Sequence, residues 1–102
     1  MAYKIRALPG FQAELNDALD ALLPEHPSAA AELLDELDRV FDLVSAFPFA
    51  MQPYPLERRY AEVYRAVDVK KYLAFYVVLG DVVEFRRFLH ARSDLPSYLQ
   101  SS

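Results

Sequence analysis

The chain has 102 residues, of which 54% are hydrophobic and 25% charged, a composition that supports one folded domain and excludes a disordered or fibrous chain. It contains no cysteine, which excludes disulfide bonds and thiolate metal sites. No apolar run reaches the roughly 18 residues of a membrane span, and the N-terminus lacks the apolar stretch of a signal peptide. We therefore expect one domain over residues 1–102, located in the cytoplasm and making no contact with a membrane.

The net charge of −4 is unevenly distributed along the chain. Residues 1–56 carry 3 basic and 9 acidic side chains, a net −6, whereas residues 57–102 carry 8 basic and 6 acidic side chains, a net +2. A mildly basic second half is consistent with a surface that faces a polyanion. An excess this small is more typical of ordinary solvated faces, which is the favoured interpretation.

The first half of the chain predicts a strand and two helices. Residues 2–8 alternate apolar and charged side chains, as a short strand does. Apolar positions at helical spacing predict a helix over residues 11–22, with Pro9 in its first turn. After a corner with two prolines, Ser28 is the expected N-cap of a second helix over residues 29–47. We expect the two helices to pack as an antiparallel hairpin that covers one face of a sheet.

Residues 47–56 contain three prolines and are expected to form a rigid loop. Its apolar side chains Phe49, Met51 and Tyr54 either tuck under the edge of the sheet or form a surface for a partner, and tucking is favoured. Residues 61–69 then alternate as another strand. The predicted architecture is α+β: an N-terminal strand, a helical hairpin and a three-stranded antiparallel sheet.

The last two strands are predicted to form a hairpin at the centre of this sheet. Residues 72–79 are apolar on both faces, so this strand belongs in the interior of the sheet and not at its edge. Residues 82–90 are rich in β-branched and aromatic side chains. The intervening Gly80 and Asp81 fit a type II′ turn, because glycine accepts the positive φ of its first corner.

A two-residue turn fixes which residues face each other across the hairpin. It sets Leu79 opposite Val82 and Tyr76 opposite Phe85, and it would place Arg86 and Arg87 opposite residues 75 and 74, on opposite faces of the sheet. Alternation then assigns the core face to one set of side chains, namely Tyr72, Ala74, Tyr76, Val78, Val83, Phe85 and Leu89. The other face receives Leu73, Phe75, Val77, Glu84, Arg86, Phe88 and His90. Arg87 would fall on the core side, where its charged end would have to extend to solvent or find a partner at the edge of the core.

Several side chains that could take part in catalysis lie near the end of the last strand. His90 could act as a general acid or base, with neighbouring arginines stabilising phosphate charge. Alternatively, it is a strand-end histidine bonded to backbone, which is the favoured interpretation. The sequence shows neither a metal-ligand spacing nor a glycine-rich phosphate loop, so we expect no metal and no cofactor.

The order of these elements, together with several short motifs, resembles the RelE/ParE superfamily of bacterial toxins. Members of that superfamily have a Tyr-Arg-x-x-Tyr strand, a Gly-Asp hairpin and a last strand that ends in Leu-His-Gly-Arg-Arg-Asp-Leu. The counterparts here are Tyr72 with Tyr76, the Gly80 turn, and the segment 89–95. A Phe-Pro loop after the second helix, at Phe47, is also shared. The resemblance implies a small curved antiparallel sheet beside a helical hairpin.

The resemblance also implies alternative functions. RelE-like members are metal-free endonucleases that cut mRNA on the ribosome, and on that reading five residues are candidates for phosphate binding or proton transfer: Arg65, Arg87, His90, Arg92 and Tyr98. ParE-like members inhibit DNA gyrase and have no hydrolytic site. Leu73 and Ser93 stand where RelE-like members have arginines, and the pI near 5.0 is low for a protein that docks on ribosomal RNA.

These departures favour a toxin that acts by binding its target. A third alternative is a toxin-derived interaction module without activity. For either active toxin the resemblance implies a cognate antitoxin as partner, and it leaves open whether the toxin is a monomer or a homodimer.

Overall fold

The computed structural model describes residues 2–54 and 62–92. Its elements follow in the order β1 (Lys4–Ala7), α1 (Pro9–Leu22), α2 (Pro27–Ala46), β2 (Arg65–Val69), β3 (Tyr72–Leu79) and β4 (Val82–His90). The four strands form one sheet in the order β1-β4-β3-β2. β2, β3 and β4 are antiparallel neighbours, and β1 joins the sheet parallel to β4. The predicted α+β architecture is confirmed, and β3 lies in the interior of the sheet as expected.

The two helices lie against one face of the sheet and enclose the larger core. α1 packs on β4, and α2 packs on β1 and β2. Phe11 of α1 forms ring contacts with Phe85 and Phe88 of β4, at centroid distances of 5.5 and 5.4 Å. From α2 this core receives four buried residues at helical spacing, Leu33, Leu37, Val40 and Val44. We refer to this side of the sheet as the helix face.

The opposite face of the sheet, here the outer face, buries a smaller apolar cluster around Phe75, Val77 and Leu89. Tyr54 of the proline-rich loop packs edge-on against Phe75, with ring centroids 5.0 Å apart. Because β3 buries residues on both of its faces, its continuous apolar sequence is explained.

Helix boundaries differ from the prediction at α2. The helix begins at Pro27, so Ser28 lies in its first turn, and His26 precedes the helix without a capping hydrogen bond from its side chain. Proline is well suited to the first helical position because its missing N–H would have no partner there. The helix ends at Ala46, since the residue before Pro48 is disfavoured in helical conformation.

The strand boundaries are shorter than predicted. β1 spans residues 4–7 of the predicted 2–8. β2 begins at Arg65, and residues 62–64 precede it without strand geometry, while residue 61 lies outside the described residues.

A β-bulge in the β3–β4 hairpin corrects the predicted register. The turn is as expected: Gly80 has a φ of 60°, Leu79 pairs with Val82, and Tyr76 pairs with Phe85. The register then shifts, so that Phe75 pairs with Arg87 and not with Arg86. An extra residue in one strand reverses the alternation that follows it.

The reversal changes the predicted faces beyond the bulge. Phe88 packs in the helix-face core and Leu89 in the outer cluster, the opposite of the sequence-based assignment. Arg86 and Arg87, predicted on opposite faces, line one groove. A bulge places two consecutive residues against a single partner residue, which the hydrophobic pattern alone does not reveal.

The proline-rich loop is only partly tucked in. Met51 packs against the helix-face core and Tyr54 against the outer cluster, as predicted. Phe49, however, is 59% exposed, so that part of the prediction is wrong. Residues 55 and 56 of the predicted loop lie outside the described residues.

Candidate functional site

The bulge in β4 is held by an ion pair between Arg87 and Glu14 of α1. The Arg87 Nη2 and Nε groups donate to the Glu14 carboxylate at 2.7 and 3.0 Å, and the Phe88 backbone N–H donates to the same carboxylate at 3.0 Å. The two side chains are 13% and 21% exposed. Arg87 thus has a carboxylate partner, although the bulge sets it opposite Phe75 and not on the predicted core side opposite Ala74. The pairing joins α1 to the part of β4 beyond its pairing with β1.

Arg86 belongs to a second ionic network on the outer face. Its Nε donates to buried Glu84 at 2.9 Å, and its Nη2 donates to Glu62 at 2.7 Å. Arg6 of β1 donates to the other oxygen of Glu84 at 3.1 Å, and the Arg86 guanidinium lies 5.7 Å from the ring centre of Tyr64. The hydrogen bonds from Arg86 lower the pKa of Glu62, and those to Glu62 raise the pKa of Arg86.

A groove of about 580 Å³ lies between the first turns of α1 and the bulge. Its walls include Leu8, Gly10 and Ala13 on one side, and Tyr64, Arg86 and Arg87 on the other. Both arginines carry carboxylate partners at this groove. Their positive charge is therefore largely compensated, which lowers the attraction of the groove for a phosphate.

His90 is the last residue of β4, and its side chain bonds to the backbone of the turn that follows. Its Nδ1 accepts the N–H of Arg92 at 3.1 Å, and the Tyr72 ring stands edge-on to the imidazole at 5.3 Å between centroids. The ring is half-buried beside a shallow cavity of about 250 Å³ that Glu14 and Asp17 also line. This is the geometry of the strand-end histidine that the sequence analysis favoured.

Arg65 lies apart from His90. It pairs with Tyr76 across β3, whereas His90 pairs with Tyr72 at the other end of that strand. Four residues along β3 and two strand spacings separate the two Cα atoms by about 16 Å. The Arg65 guanidinium donates to the Met51 carbonyl and stacks over the Phe49 ring at 5.2 Å.

The structure therefore brings together only some of the five candidates. His90 and exposed Arg92 share the turn after β4, and Arg87 lies three residues earlier on that strand, in contact with α1. Arg65 lies near the opposite end of the sheet, and Tyr98 lies outside the described residues.

Sequence reasoning missed Glu14 and Glu62 as the partners of the two adjacent arginines. Glu14 lies 73 residues from Arg87, and Glu62 lies 24 residues from Arg86. The charged pair at 86–87 inside a strand, which needs nearby anions, was the one available signal.

Residues 2–54 and 62–92 hold no group of three or more histidine or acidic side chains that could bind a metal ion. Within the same residues, neither helix is both long and apolar enough to cross a membrane.

The α+β fold of this chain is shared with chains of two solved bacterial toxin–antitoxin systems. The chromosomal ParDE TA system from P. aeruginosa contains a chain that matches with a TM-score of 0.69 and 13% identity, over 87% of this chain and 96% of that one. A chain of the E. coli DinJ-YafQ toxin-antitoxin complex matches with a TM-score of 0.60 and 13% identity, over 88% and 93%. At these identities the likeness shows a common fold alone.

Family membership follows from the sequence. Residues 5–95 match the model of the family described as "ParE toxin of type II toxin-antitoxin system, parDE". The chain belongs to this ParE toxin family and is a type II toxin component, which confirms the RelE/ParE resemblance. A search of curated proteins found no match.

Proposed function

We propose that this toxin acts by binding a target protein, as expected of ParE-like gyrase inhibitors, and does not cleave RNA. The observation that carries the proposal is the pairing of Arg87 with Glu14, whose carboxylate accepts hydrogen bonds from both the Nε and the Nη2 groups. A ribonuclease needs cations that meet the charge developing on phosphate in the transition state. A guanidinium that is 13% exposed and already paired is poorly suited to that role.

The chemistry around His90 supports the same reading. Its Nδ1 accepts a hydrogen bond from the Arg92 backbone N–H. An Nδ1 engaged in that bond is not available to take a proton from a 2′-hydroxyl group. The Arg65 Cα lies about 16 Å from that of His90 by the strand register, and the Arg65 guanidinium is engaged by the Met51 carbonyl and the Phe49 ring, which disfavours a shared phosphate site.

Charge is the third argument. A chain with a net charge of −4 gains little from ribosomal RNA, where phosphate contacts dominate affinity. Binding to a protein such as gyrase requires no strong positive surface. We further propose that the toxin acts in the cytoplasm and that a cognate antitoxin neutralises it, by analogy with the complexes that share its fold.

The test separates binding from cleavage in cells. Wild-type and His90→Ala chains are expressed from an inducible promoter, with growth, plasmid supercoiling and primer extension on abundant mRNAs as readouts. We expect both chains to arrest growth and disturb supercoiling while the mRNA stays intact. Coexpression of the reading frame adjacent to the toxin gene should restore growth.

Two results would contradict the proposal. Codon-spaced mRNA cuts that disappear in His90→Ala would establish the endonuclease alternative. Normal growth after verified expression of the folded wild-type chain would favour the inactive interaction module.

A further inference from the structure

Two phenylalanines are held on the surface where α2 ends. Phe47 is 62% exposed and Phe49 is 59% exposed, while Leu43, one helical turn before Phe47, is 43% exposed. Phe47 follows the last turn of α2, and its backbone N–H donates to the carbonyl of Leu43, which places it one turn beyond Leu43. We call this surface, formed by Leu43, Phe47 and Phe49, the phenylalanine corner. Large exposed apolar groups that lie together are typical of interaction sites.

The corner is fixed in place by hydrogen bonds beneath it. Pro48, between the two phenylalanines, is buried, and its carbonyl accepts the hydroxyl of buried Tyr76 at 2.8 Å. The Phe47 N–H donates to the Leu43 carbonyl at 2.8 Å, and the Arg65 guanidinium covers one face of the Phe49 ring at 5.2 Å. The aromatic groups are thus presented without the entropy cost of ordering a loop, which favours binding.

Charge indicates what binds there. Residues 9–46, which contain both helices, carry 9 acidic side chains and a single basic one, a net −8. The single basic residue, Arg39, is already paired with Glu36. Asp35 and Asp42 are exposed on α2, two turns apart, on the helix that leads into the corner. A second copy of this chain would set two such acidic layers against each other, which disfavours a homodimer at this surface.

We infer that the phenylalanine corner, with the adjacent acidic side of α2, is the docking site for a basic, amphipathic segment of a partner protein. Its apolar side chains would cover Leu43, Phe47 and Phe49, and its lysines or arginines would lie over Asp35 and Asp42. Identification of that partner as the antitoxin rests on the proposed function. The basic, amphipathic character expected of the partner follows from the surface alone.

The experiment uses two synthetic peptides as probes. One is a 20-residue amphipathic helix of leucine and lysine, and the other has glutamate in place of every lysine. Fluorescence anisotropy with the full-length chain gives the affinity of each. We expect the lysine peptide to bind at least ~10-fold more tightly, and its affinity to fall as salt is raised.

Variants locate the site. The double variant Phe47→Ser, Phe49→Ser should weaken the lysine peptide by about 10- to 100-fold, as loss of central aromatic anchors does. Leu23→Ser is the matched control. Leu23 is 51% exposed, but it precedes the start of α2 and so lies about 30 Å, the length of that helix, from the phenylalanine corner. It should leave binding unchanged. The variant Asp35→Lys, Asp42→Lys should reverse the preference towards the glutamate peptide.

Equal binding of the two peptides, or equal loss in the Leu23→Ser control and the phenylalanine variant, would overturn the inference. Circular dichroism verifies that each variant is folded. Sedimentation of the wild-type chain provides a further check, because a dimer abolished by Phe47→Ser, Phe49→Ser would assign the corner to a second copy. The peptide assay does not depend on toxicity, so its failure and a failure of the growth assay are separate results.

Discussion

Removal of the Glu14 carboxylate should destabilise the fold far more than its place on a helix surface suggests. In Glu14→Ala, the Nε and Nη2 groups of Arg87 lose their hydrogen bonds to this carboxylate, and the Phe88 N–H loses its acceptor. Breaking a fully buried ion pair costs about 3–5 kcal/mol. Because these side chains keep 13% and 21% exposure, we expect a loss of about 2.5 kcal/mol in the free energy of unfolding.

Urea denaturation followed by far-ultraviolet circular dichroism measures this loss. In a thermal scan it corresponds to a fall in Tm of about 10–20 °C for a chain of this size. Glu14→Gln keeps an oxygen that can accept the Phe88 N–H but loses the charge, so its loss should be roughly half as large. The difference between the two variants separates the charge from the backbone hydrogen bond.

A double-mutant cycle tests whether the energy belongs to the pair. Glu14→Ala, Arg87→Ala and the double variant should show coupling of about 1.5–3 kcal/mol. The exposed pair of Glu36 and Arg39 is the control and should show coupling indistinguishable from zero. If the free energy of unfolding of Glu14→Ala lies within ~0.5 kcal/mol of the wild-type value, the reasoning about this ion pair is refuted.

Three further predictions concern the turn and the core. Gly80→Ala should cost about 1 kcal/mol in urea denaturation because φ is 60° there, although a Cβ would meet no atom within 4 Å; an unchanged midpoint would contradict this. Gly10→Ala, whose Cβ would meet the Arg86 carbonyl at an ordinary 3.6 Å, should be neutral or stabilising, and a loss as large as that of Gly80→Ala would count against this. Burial raises the pKa of Tyr76 above 10.0, so the native state keeps a proton that the unfolded chain releases. The contribution of Tyr76 to the free energy of unfolding should be complete below pH 10 and decrease as the pH rises from there through the raised pKa. Tyr76→Phe should remove this pH dependence and, with the lost hydrogen bond to Pro48, about 1 kcal/mol of stability. The same alkaline decrease in both proteins would contradict this.

Much of the fold could be read from local patterns. Apolar spacing at 3.6 residues located both helices to within two residues at each end, because each helix buries one stripe of side chains. The glycine at position 80 located the hairpin, since few other residues accept a positive φ. The doubly apolar sequence of β3 predicted its interior position.

The candidate site could be predicted only in part. The sequence marks three residues of β4 as candidates for catalysis or phosphate binding, namely Arg86, Arg87 and His90. His90 has the backbone hydrogen bond that was favoured for it. Their partners could not be recognised, because Glu14 reaches Arg87 from a helix 73 positions earlier in the chain. That these side chains do not cleave RNA is a prediction, which the growth and RNA assays test.

By itself, then, the sequence determined the order and type of the elements and the family resemblance, because helix and strand periods are properties of neighbouring residues. The tertiary structure decided the pairing of β1 with β4, the bulge at Arg86 and the carboxylate partners of both arginines. Each of these depends on contacts between distant parts of the chain, and a single inserted residue in a strand reverses every side chain beyond it without altering the hydrophobic content.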